Sequence, residues 1–328
     1  MDYSVTELMD FRGELEELLN YPNLKVLDIL LDDVNISDYL PCDLNELSIN
    51  SDVFNMKLER LPVNLKKLYI FCDNFNQELD NLPEGLKKLY IYSNKFNQEL
   101  ENLPEGLEVL YIYSDKFNQE LKKLPKNLKT LSINFNEYDK KIYNLPESLE
   151  NLNFKNNIEI EISYPLYLKT LKIYGNYNNR LDNLPENLIE LEIYSDNFNQ
   201  ELDTLPENLE KLYIMCNVFE KDLEILPKNL KELTLYGVYD KEIKWLSKEG
   251  KLGLHLSNIE EYMKNNILNV KKLYVYDIVL HSIKDNIPLD LEELYIRIYD
   301  ESCCISIEEI KNMMPIGVKI YLDSNDIL

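Results

Sequence analysis

The stretch KFNQELENLPEGLEVL, residues 95–110, sets the pattern of the whole chain. Nearly the same letters recur around residues 75, 117 and 198, and the prolines follow the same rhythm, as at Pro83, Pro104 and Pro125. Self-similarity at a period of about 20 residues is typical of a solenoid, in which each coil is stabilised by stacking on its neighbours. The repetition therefore predicts architecture, because a loop built to hold one ligand is usually unique.

Each coil begins with the pattern L-x-x-L-x-I, as in Leu86-x-x-Leu89-x-Ile91. Two apolar residues spaced two apart are typical of a strand with one buried face. A short polar residue follows three places after the isoleucine, as at Asn94, where it favours a sharp turn. The proline then turns the chain back, because it fixes φ and has no N–H to donate.

Within the quoted stretch we predict which side chains enter the core and which support it. We expect the Asn97 side-chain amide to bond backbone between adjacent coils. The predicted inward residues are Phe96, Leu100, Leu103, Leu107 and Leu110.

Two coils are one residue shorter between the strand and the following aromatic residue. Both carry glycine in the shortened turn, Gly175 and Gly237, where other coils have a residue such as Ser93 or Ser114. Glycine tolerates a tighter backbone conformation. This adjustment is what a structural repeat requires.

The L-x-x-L-x-I-x-x-N pattern resembles leucine-rich repeats, and the spelling FNQ-x-L-x-x-L-P-x-x-L resembles the FNIP repeat, a relative found in amoebae and their giant viruses. The resemblance covers residues 21–237 clearly and residues 251–328 in degraded form. It implies an α/β-type leucine-rich-repeat solenoid. In such a fold a curved parallel β-sheet forms the concave face, and the convex face is mostly irregular or extended.

Three segments are predicted along the chain: 1–20, 21–247 and 248–328. The first is a helical N-terminal cap, because Ser4 and Glu7 form a possible capping box ahead of an apolar stripe. The second holds the regular repeats of about 21 residues.

The third segment, 248–328, is predicted to hold degenerate repeats and a C-terminal cap. Short helices are expected on the convex side at Ser257–Ile267 and Ser306–Met314. A separate C-terminal module is the alternative, but Leu291-x-x-Leu294-x-Ile296 restates the strand pattern and favours one continuous solenoid.

Charge and cysteine content limit the partners and the compartment. With 59 acidic and 35 basic residues, the net charge of −24 opposes binding to nucleic acid or an anionic membrane. The sequence has no long apolar run that could span a membrane and no apolar secretory signal at its start. Scattered cysteines indicate a reducing compartment, so we expect a cytoplasmic location, in the host cytoplasm if the protein is viral.

Catalytic motifs are lacking. The histidines, His255 and His281, have no partner at motif spacing, and the sequence predicts no cofactor, metal or small-molecule substrate. Cys303-Cys304 lacks the C-x-D motif of cysteine ubiquitin ligase domains, so we interpret these cysteines as buried or incidental. We predict that the protein is not an enzyme.

The x positions of L-x-x-L-x-I face away from the core, where many are aromatic. Lysines flank the first group of these aromatics, which predicts a basic and aromatic strip for binding a protein partner. The ten candidate residues are Tyr69, Phe71, Tyr90, Tyr92, Tyr111, Tyr113, Lys66, Lys67, Lys87 and Lys88. The aromatic column breaks through Ser132, Asn134, Asn153 and Lys155, and resumes at Tyr174, Tyr194, Tyr213, Tyr236, Tyr274, Tyr276 and Tyr295. The alternative is that tyrosines stack to favour strands, and that repeat duplication copied them.

The predicted function is a non-enzymatic scaffold that binds a protein through the concave face. Many FNIP proteins carry an F-box, so the resemblance also implies an alternative function, that of a substrate-recognition adaptor of a ubiquitin ligase. Here about 20 residues precede the first coil, which is too few for an F-box. A second alternative is an enzyme with an unrecognised C-terminal module.

Overall fold

The computed structural model describes residues 2, 4–32, 34–136, 138–156, 160–243, 251–256, 262, 271–276, 287–288, 290–297 and 307–323. The contacts divide the chain into two compact units, Met1–Leu168 and Lys169–Leu328. The predicted segment boundaries concern the regularity of the repeats and stay predictions.

The first unit holds eight strands that pair in chain order, each parallel to the next. They are β1 Glu7–Phe11, β2 Val26–Leu30, β3 Glu46–Ser51, β4 Lys67–Cys72, β5 Lys88–Tyr92, β6 Val109–Ser114, β7 Thr130–Phe135 and β8 Asn151–Asn156. A short 3-10 helix at Leu15–Asn20 follows β1.

The second unit repeats this arrangement with eight further parallel strands in chain order. They are β9 Thr170–Gly175, β10 Glu190–Ser195, β11 Lys211–Cys216, β12 Glu232–Gly237, β13 Lys251–Leu256, β14 Lys272–Tyr276, β15 Glu293–Arg297 and β16 Lys319–Asp323. One α-helix, α1 at Ile307–Met313, is described between β15 and β16. The predicted parallel solenoid is confirmed.

Inward leucines and isoleucines form the core of each unit. Leu89 is 0% exposed and Ile91 is 2% exposed, and the residues between and after them face the other side of the sheet. The register pairs like with like, so Leu68, Leu89 and Leu110 lie side by side on successive strands. The outward x positions are therefore fixed by the period-2 geometry of the strand.

Behind the sheet, a ladder of buried aromatic rings follows the coils. Phe96 lies 6.1 Å from Phe75 and 6.1 Å from Phe117, measured between ring centroids. The other predicted inward residues of the quoted stretch are also buried, and the Pro104 carbonyl accepts a hydrogen bond of 3.0 Å from Leu107 N–H. This proline turn recurs in coil after coil and returns the chain to the next strand.

The asparagine of the FNQ motif links adjacent coils, as predicted for Asn97. Its Oδ1 accepts the backbone N–H of Asn118 at 2.9 Å and the side-chain amide of Gln119 at 3.2 Å. The Asn97 backbone N–H donates in turn to Asn76 Oδ1 at 2.9 Å. The motif is therefore a hydrogen-bond ladder that satisfies backbone groups where no strand pairs them.

The shortened turns have the conformation expected of glycine. Gly175 has a φ of 93° and Gly237 a φ of 118°, a region that L side chains rarely adopt. A Cβ at Gly237 would also lie 2.2 Å from the Cys216 carbonyl oxygen. Glycine is required there for both reasons.

The predicted helical N-terminal cap is wrong for residues 7–11. This stretch is strand β1, in which Glu7 pairs with Val26 and Leu8 with Leu27. Hydrogen bonding along the β2 edge outweighs the local helical pattern, which leaves Met9 64% exposed. The helical part is confined to the 3-10 helix at Leu15–Asn20, whose Leu18 is buried.

Of the two predicted C-terminal helices, only the second lies largely within the described residues. Ser257–Ile267 lies outside the described residues except for Tyr262, which is buried. Helix α1 falls within the predicted Ser306–Met314.

Candidate binding surface

The outward face of β4, β5 and β6 carries six aromatic side chains in two columns. The inner column lies between the core leucine and isoleucine of each strand and contains Tyr69, Tyr90 and Tyr111. The outer column follows the isoleucine and contains Phe71, Tyr92 and Tyr113. We call these six residues the aromatic block. All six are among the binding residues predicted from the sequence, and the strand register brings them together.

Stacking orders the aromatic block. In the inner column the ring centroids of Tyr69 and Tyr90, and of Tyr90 and Tyr111, are 4.7 Å apart. In the outer column Tyr92 lies 4.2 Å from Tyr113 with an interplanar angle of 8°. This is the tyrosine stacking that the alternative explanation anticipated, and it orders the five tyrosines of the block as a rigid surface.

Stacking still leaves much of the outer column exposed. Phe71 is 45% exposed and Tyr92 44% exposed, while the inner tyrosines are half-buried. Burial raises the pKa of Tyr69 and Tyr90 above the ordinary value for tyrosine. The block therefore offers rigid aromatic area to a ligand at a small cost in side-chain entropy.

The four candidate lysines lie at or just before the amino ends of β4 and β5. Lys67 Nζ is 2.8 Å from Glu46 Oε2, and Lys87 Nζ is 2.9 Å from Glu108 Oε1. Lys66 Nζ donates instead to the Gly85 carbonyl at 3.3 Å. Among the described residues, Lys88 forms no side-chain hydrogen bond or ion pair within 4 Å. Two of the four positive charges are thus balanced, and the surface is less basic than the sequence alone indicates.

At the other ends of the strands, carboxylates face the outer column. The pKa of Tyr113 is raised first by burial and then by the nearby Asp115 carboxylate, with Asp73 contributing further. Asp73 Oδ1 accepts the Asn94 side-chain amide at 3.1 Å. The block therefore lies between lysines at one edge of the sheet and aspartates at the other.

A hollow of about 270 Å³ opens between the two columns. Its walls are tyrosines of β5 and β6, Phe71 lies at one end, and Ser132 and Asn134 of β7 lie at the other. In the sequence, Ser132 and Asn134 only interrupt the aromatic column and are not predicted to belong to the binding surface. That they line the same hollow follows from register, which places them beside Tyr111 and Tyr113.

The second unit has outward aromatics of its own. Tyr174 stacks on Tyr194 at 4.8 Å, and Tyr295 lies 4.1 Å from Tyr274 and 4.6 Å from Tyr321. A smaller hollow of about 240 Å³ here is lined by residues that include Tyr213, Tyr274 and Tyr295. Tyr236 is exposed, and the side chain of Tyr276 lies outside the described residues.

The parts of the chain that the structure describes contain no group of three or more His, Cys, Asp or Glu that could hold a metal ion. Cys72 and Cys216 are buried, and burial raises the pKa of the Cys72 thiol to about 12 and that of Cys216 above its usual value. These two thiols are therefore not activated nucleophiles.

The residues singled out as possible catalytic groups, His281, Cys303 and Cys304, lie outside the described residues, as does the side chain of His255. Among the described helices, none has the length and apolar character needed to cross a membrane.

Family and structure comparisons agree with this architecture. The FNIP Repeat family model matches residues 96–136 and 177–217. No curated protein sequence matches the chain. Among solved structures, CroV588, described as a novel circular LRR protein, is similar at 22% identity with a TM-score of 0.50. The match covers 94% of this chain and 58% of CroV588, so the chain spans a little over half the length of that protein.

Two bacterial proteins are also similar. YopM from Yersinia enterocolitica WA-314 has 19% identity and a TM-score of 0.48, over 98% of this chain and 73% of YopM. An LRR protein of Leptospira interrogans has 18% identity and a TM-score of 0.41, over 95% of this chain and 93% of that one.

The class defined by the parallel strands and the L-x-x-L-x-I core is the leucine-rich-repeat-type solenoid. Within that class, the chain carries FNIP repeats at residues 96–136 and 177–217, where the family model matches. The predicted resemblance is confirmed.

Proposed function

We propose that this protein is a non-enzymatic scaffold that binds a protein partner through the aromatic block. The observation that carries the proposal is the hollow between the two aromatic columns, beside Phe71 and Tyr92, which are nearly half exposed although their strand neighbours are buried. Repeat solenoids use extended surfaces of this kind for binding. Exposed, rigid aromatic side chains are also the commonest energetic anchors of protein interfaces.

Charge supports a protein partner over nucleic acid or an anionic membrane. The net charge of −24 repels both over most of the surface. The lysines of the strip do not reverse this, because Lys67 and Lys87 are already paired with glutamates. A cytoplasmic location is part of the proposal, and the adaptor and enzyme alternatives have no comparable observation behind them among the described residues.

The test removes the exposed rings and leaves the core intact. Wild-type protein and the double variant Phe71→Ser/Tyr92→Ser are immobilised and used to capture partners from a lysate of the source cells, with identification by mass spectrometry. We expect the double variant to capture about tenfold less of at least one partner, since the loss of two aromatic anchors costs several kcal/mol of binding free energy. Circular dichroism should be unchanged.

A matched control removes two aromatic side chains outside the block that are at least as exposed as Phe71 and Tyr92. Tyr143 is 51% exposed and Tyr167 is 58% exposed, both off the strands of the same unit. The variant Tyr143→Ser/Tyr167→Ser should capture the partner as wild type does. Equal capture by the block variant and wild type would contradict the proposal.

A further inference from the structure

The aromatic block ends on each side at a strand with the same four residues, Leu-Ser-Ile-Asn. On β3 these are residues 47–50, and on β7 they are residues 131–134. Register places Ser48 beside Tyr69 and Asn50 beside Phe71. At the other end Tyr111 is followed by Ser132 and Tyr113 by Asn134. Each stack therefore ends where a short polar side chain takes the place of a ring.

The two ends differ in their hydrogen bonds. At the β3 end, the Asn50 side-chain amide donates to Asp28 and also to Ser48 Oγ at 3.2 Å. At the β7 end, neither the Ser132 hydroxyl nor the Asn134 amide makes a side-chain hydrogen bond to any other described residue. Both line the hollow of about 270 Å³. The β3 end is thus closed by the protein itself, and the β7 end is open to a ligand.

Stack geometry sets the shape of that ligand. The stacked tyrosines of neighbouring strands in the block lie 4.2 to 4.7 Å apart, so a further ring at the same spacing beyond Tyr111 or Tyr113 would lie over Ser132 and Asn134. In the second unit the protein itself covers one end of a similar stack, because Lys251 Nζ of β13 lies 4.0 Å from the centroid of Tyr274, the first ring of that stack. No cation of the described residues covers Tyr111 or Tyr113 in this way.

Charges at this end favour a basic group beside the ring. The amino ends of β6 and β7 carry Val109 and Thr130, where β4 and β5 carry Lys67 and Lys88. At the carboxyl end of β6, Asp115 directly follows Ser114 and accepts the side-chain amide of Asn136, which places this carboxylate beside the end of β7. Among the described residues, Lys129 directly precedes β7, and Lys155 follows Asn134 in the outer column of β8 and would face the far side of an inserted ring.

We infer that the β7 end of the aromatic block is a subsite for a tyrosine or tryptophan side chain of a protein partner, carried beside a basic residue. The ring stacks on Tyr111 or Tyr113 as the next member of the column. Its hydroxyl or indole N–H bonds Ser132 or Asn134, and the basic residue meets Asp115. This inference rests on the proposed function and names the partner chemistry of the same surface.

A phage-displayed library of random dodecapeptides, selected on the full-length protein, provides the probe. We expect enriched peptides to contain tyrosine or tryptophan next to arginine or lysine. Their affinity, measured by fluorescence anisotropy, should fall about tenfold or more in Asn134→Tyr, in which the chain supplies the missing ring. The matched variant Asn50→Tyr adds the same ring at the closed β3 end and should bind within about twofold of wild type.

Folding is checked by thermal melting, where Asn134→Tyr should match or exceed wild type because its ring stacks as Tyr92 does. If that variant does not fold, Ser132→Ala/Asn134→Ala should weaken the same peptides by about fivefold, the value of one or two hydrogen bonds.

Three results would overturn the subsite. They are enrichment of peptides without an aromatic residue, undiminished binding to the filled variant, and no enrichment at all. If the peptides bind more weakly to Phe71→Ser/Tyr92→Ser but equally well to Asn134→Tyr, the subsite is overturned and the proposed function stands. If the peptides bind both variants as tightly as wild type, the subsite and the proposed function are overturned together.

Discussion

Asn97 shows how one polar residue can be structural in a chain full of polar residues. Its Oδ1 accepts from Asn118 N–H and from Gln119, and its own N–H donates to Asn76. These groups lie between strands, where no sheet partner is available to the backbone. The side chain thus replaces a strand ladder at a turn of the solenoid.

Replacing Asn97 with alanine should lower the free energy of unfolding by about 1 to 3 kcal/mol, because Asn118 N–H is left without its acceptor. Urea unfolding followed by circular dichroism measures the loss, and hydrogen exchange at the Asn118 amide should become faster. The control is Asn102→Ala, which removes only an exposed bond of 2.8 Å to Asp80 and should change stability by less than about 0.5 kcal/mol. Similar losses in both variants would argue against a special role for the ladder.

At the scale of the element, each strand is stabilised by the coil behind it as well as by its sheet neighbours. Phe96 is fully buried between Phe75 and Phe117, and each such ring supports two neighbouring coils. On the other face of the same coil, Tyr92 is 44% exposed and stacks on Tyr113. Two aromatic residues four positions apart in sequence therefore have different energetic roles.

Phe96→Ala should cost about 3 to 5 kcal/mol, since it leaves a ring-sized cavity in the core. Tyr92→Ala should cost only about 1 kcal/mol, the value of one exposed stacking contact. Hydrogen exchange should show faster opening of β5 and β6 in Phe96→Ala, because each coil contacts only its neighbours. Equal losses for the two variants would contradict this assignment of faces.

At the scale of the whole molecule, tyrosine burial couples stability to high pH. The chain has 24 tyrosines. Burial raises the pKa of Tyr69, Tyr90 and Tyr174, and that of Tyr138 to about 12. A raised tyrosine pKa means that the folded state holds its proton longer than the unfolded state, whose value is near 10. This contribution is complete below pH 10 and is lost as pH rises toward the folded values.

We therefore expect tyrosinate absorbance at 295 nm to lag behind that of the urea-unfolded chain, which should titrate near pH 10. The delayed tyrosines should ionise together with the loss of the circular dichroism signal, at about pH 11 to 12. A titration that is complete near pH 10 with the fold intact would show that the tyrosines are not shielded as described.

Most of the fold could be predicted from the period of the repeat. A leucine and an isoleucine two apart, repeated every 19 to 21 residues, can bury one face only as stacked parallel strands. Glycine in the shortened turns was likewise predictable, because a backbone with positive φ favours that residue. The N-terminal strand was not, since Glu7–Phe11 has a helical pattern locally and takes its conformation from the edge of β2.

The candidate surface could likewise be predicted from the sequence only in part. Period-2 alternation was enough to place Tyr69, Phe71, Tyr90, Tyr92, Tyr111 and Tyr113 on one face, because it depends only on the backbone of the strand. The ion pairing of the lysines was not predictable, since Lys67 and Lys87 pair with glutamates about 20 positions away in neighbouring coils.

The difference between the two ends of the block also required the tertiary structure. Ser48-Ile49-Asn50 and Ser132-Ile133-Asn134 are identical in sequence, but only in the first does the asparagine donate to an aspartate of a neighbouring strand, Asp28. The sequence by itself determined the repeat, the strands and which residues face outward, because these follow from local periodicity. Register between strands decided which charges are paired and which polar groups are left open to a partner, because those contacts join residues about 20 positions apart.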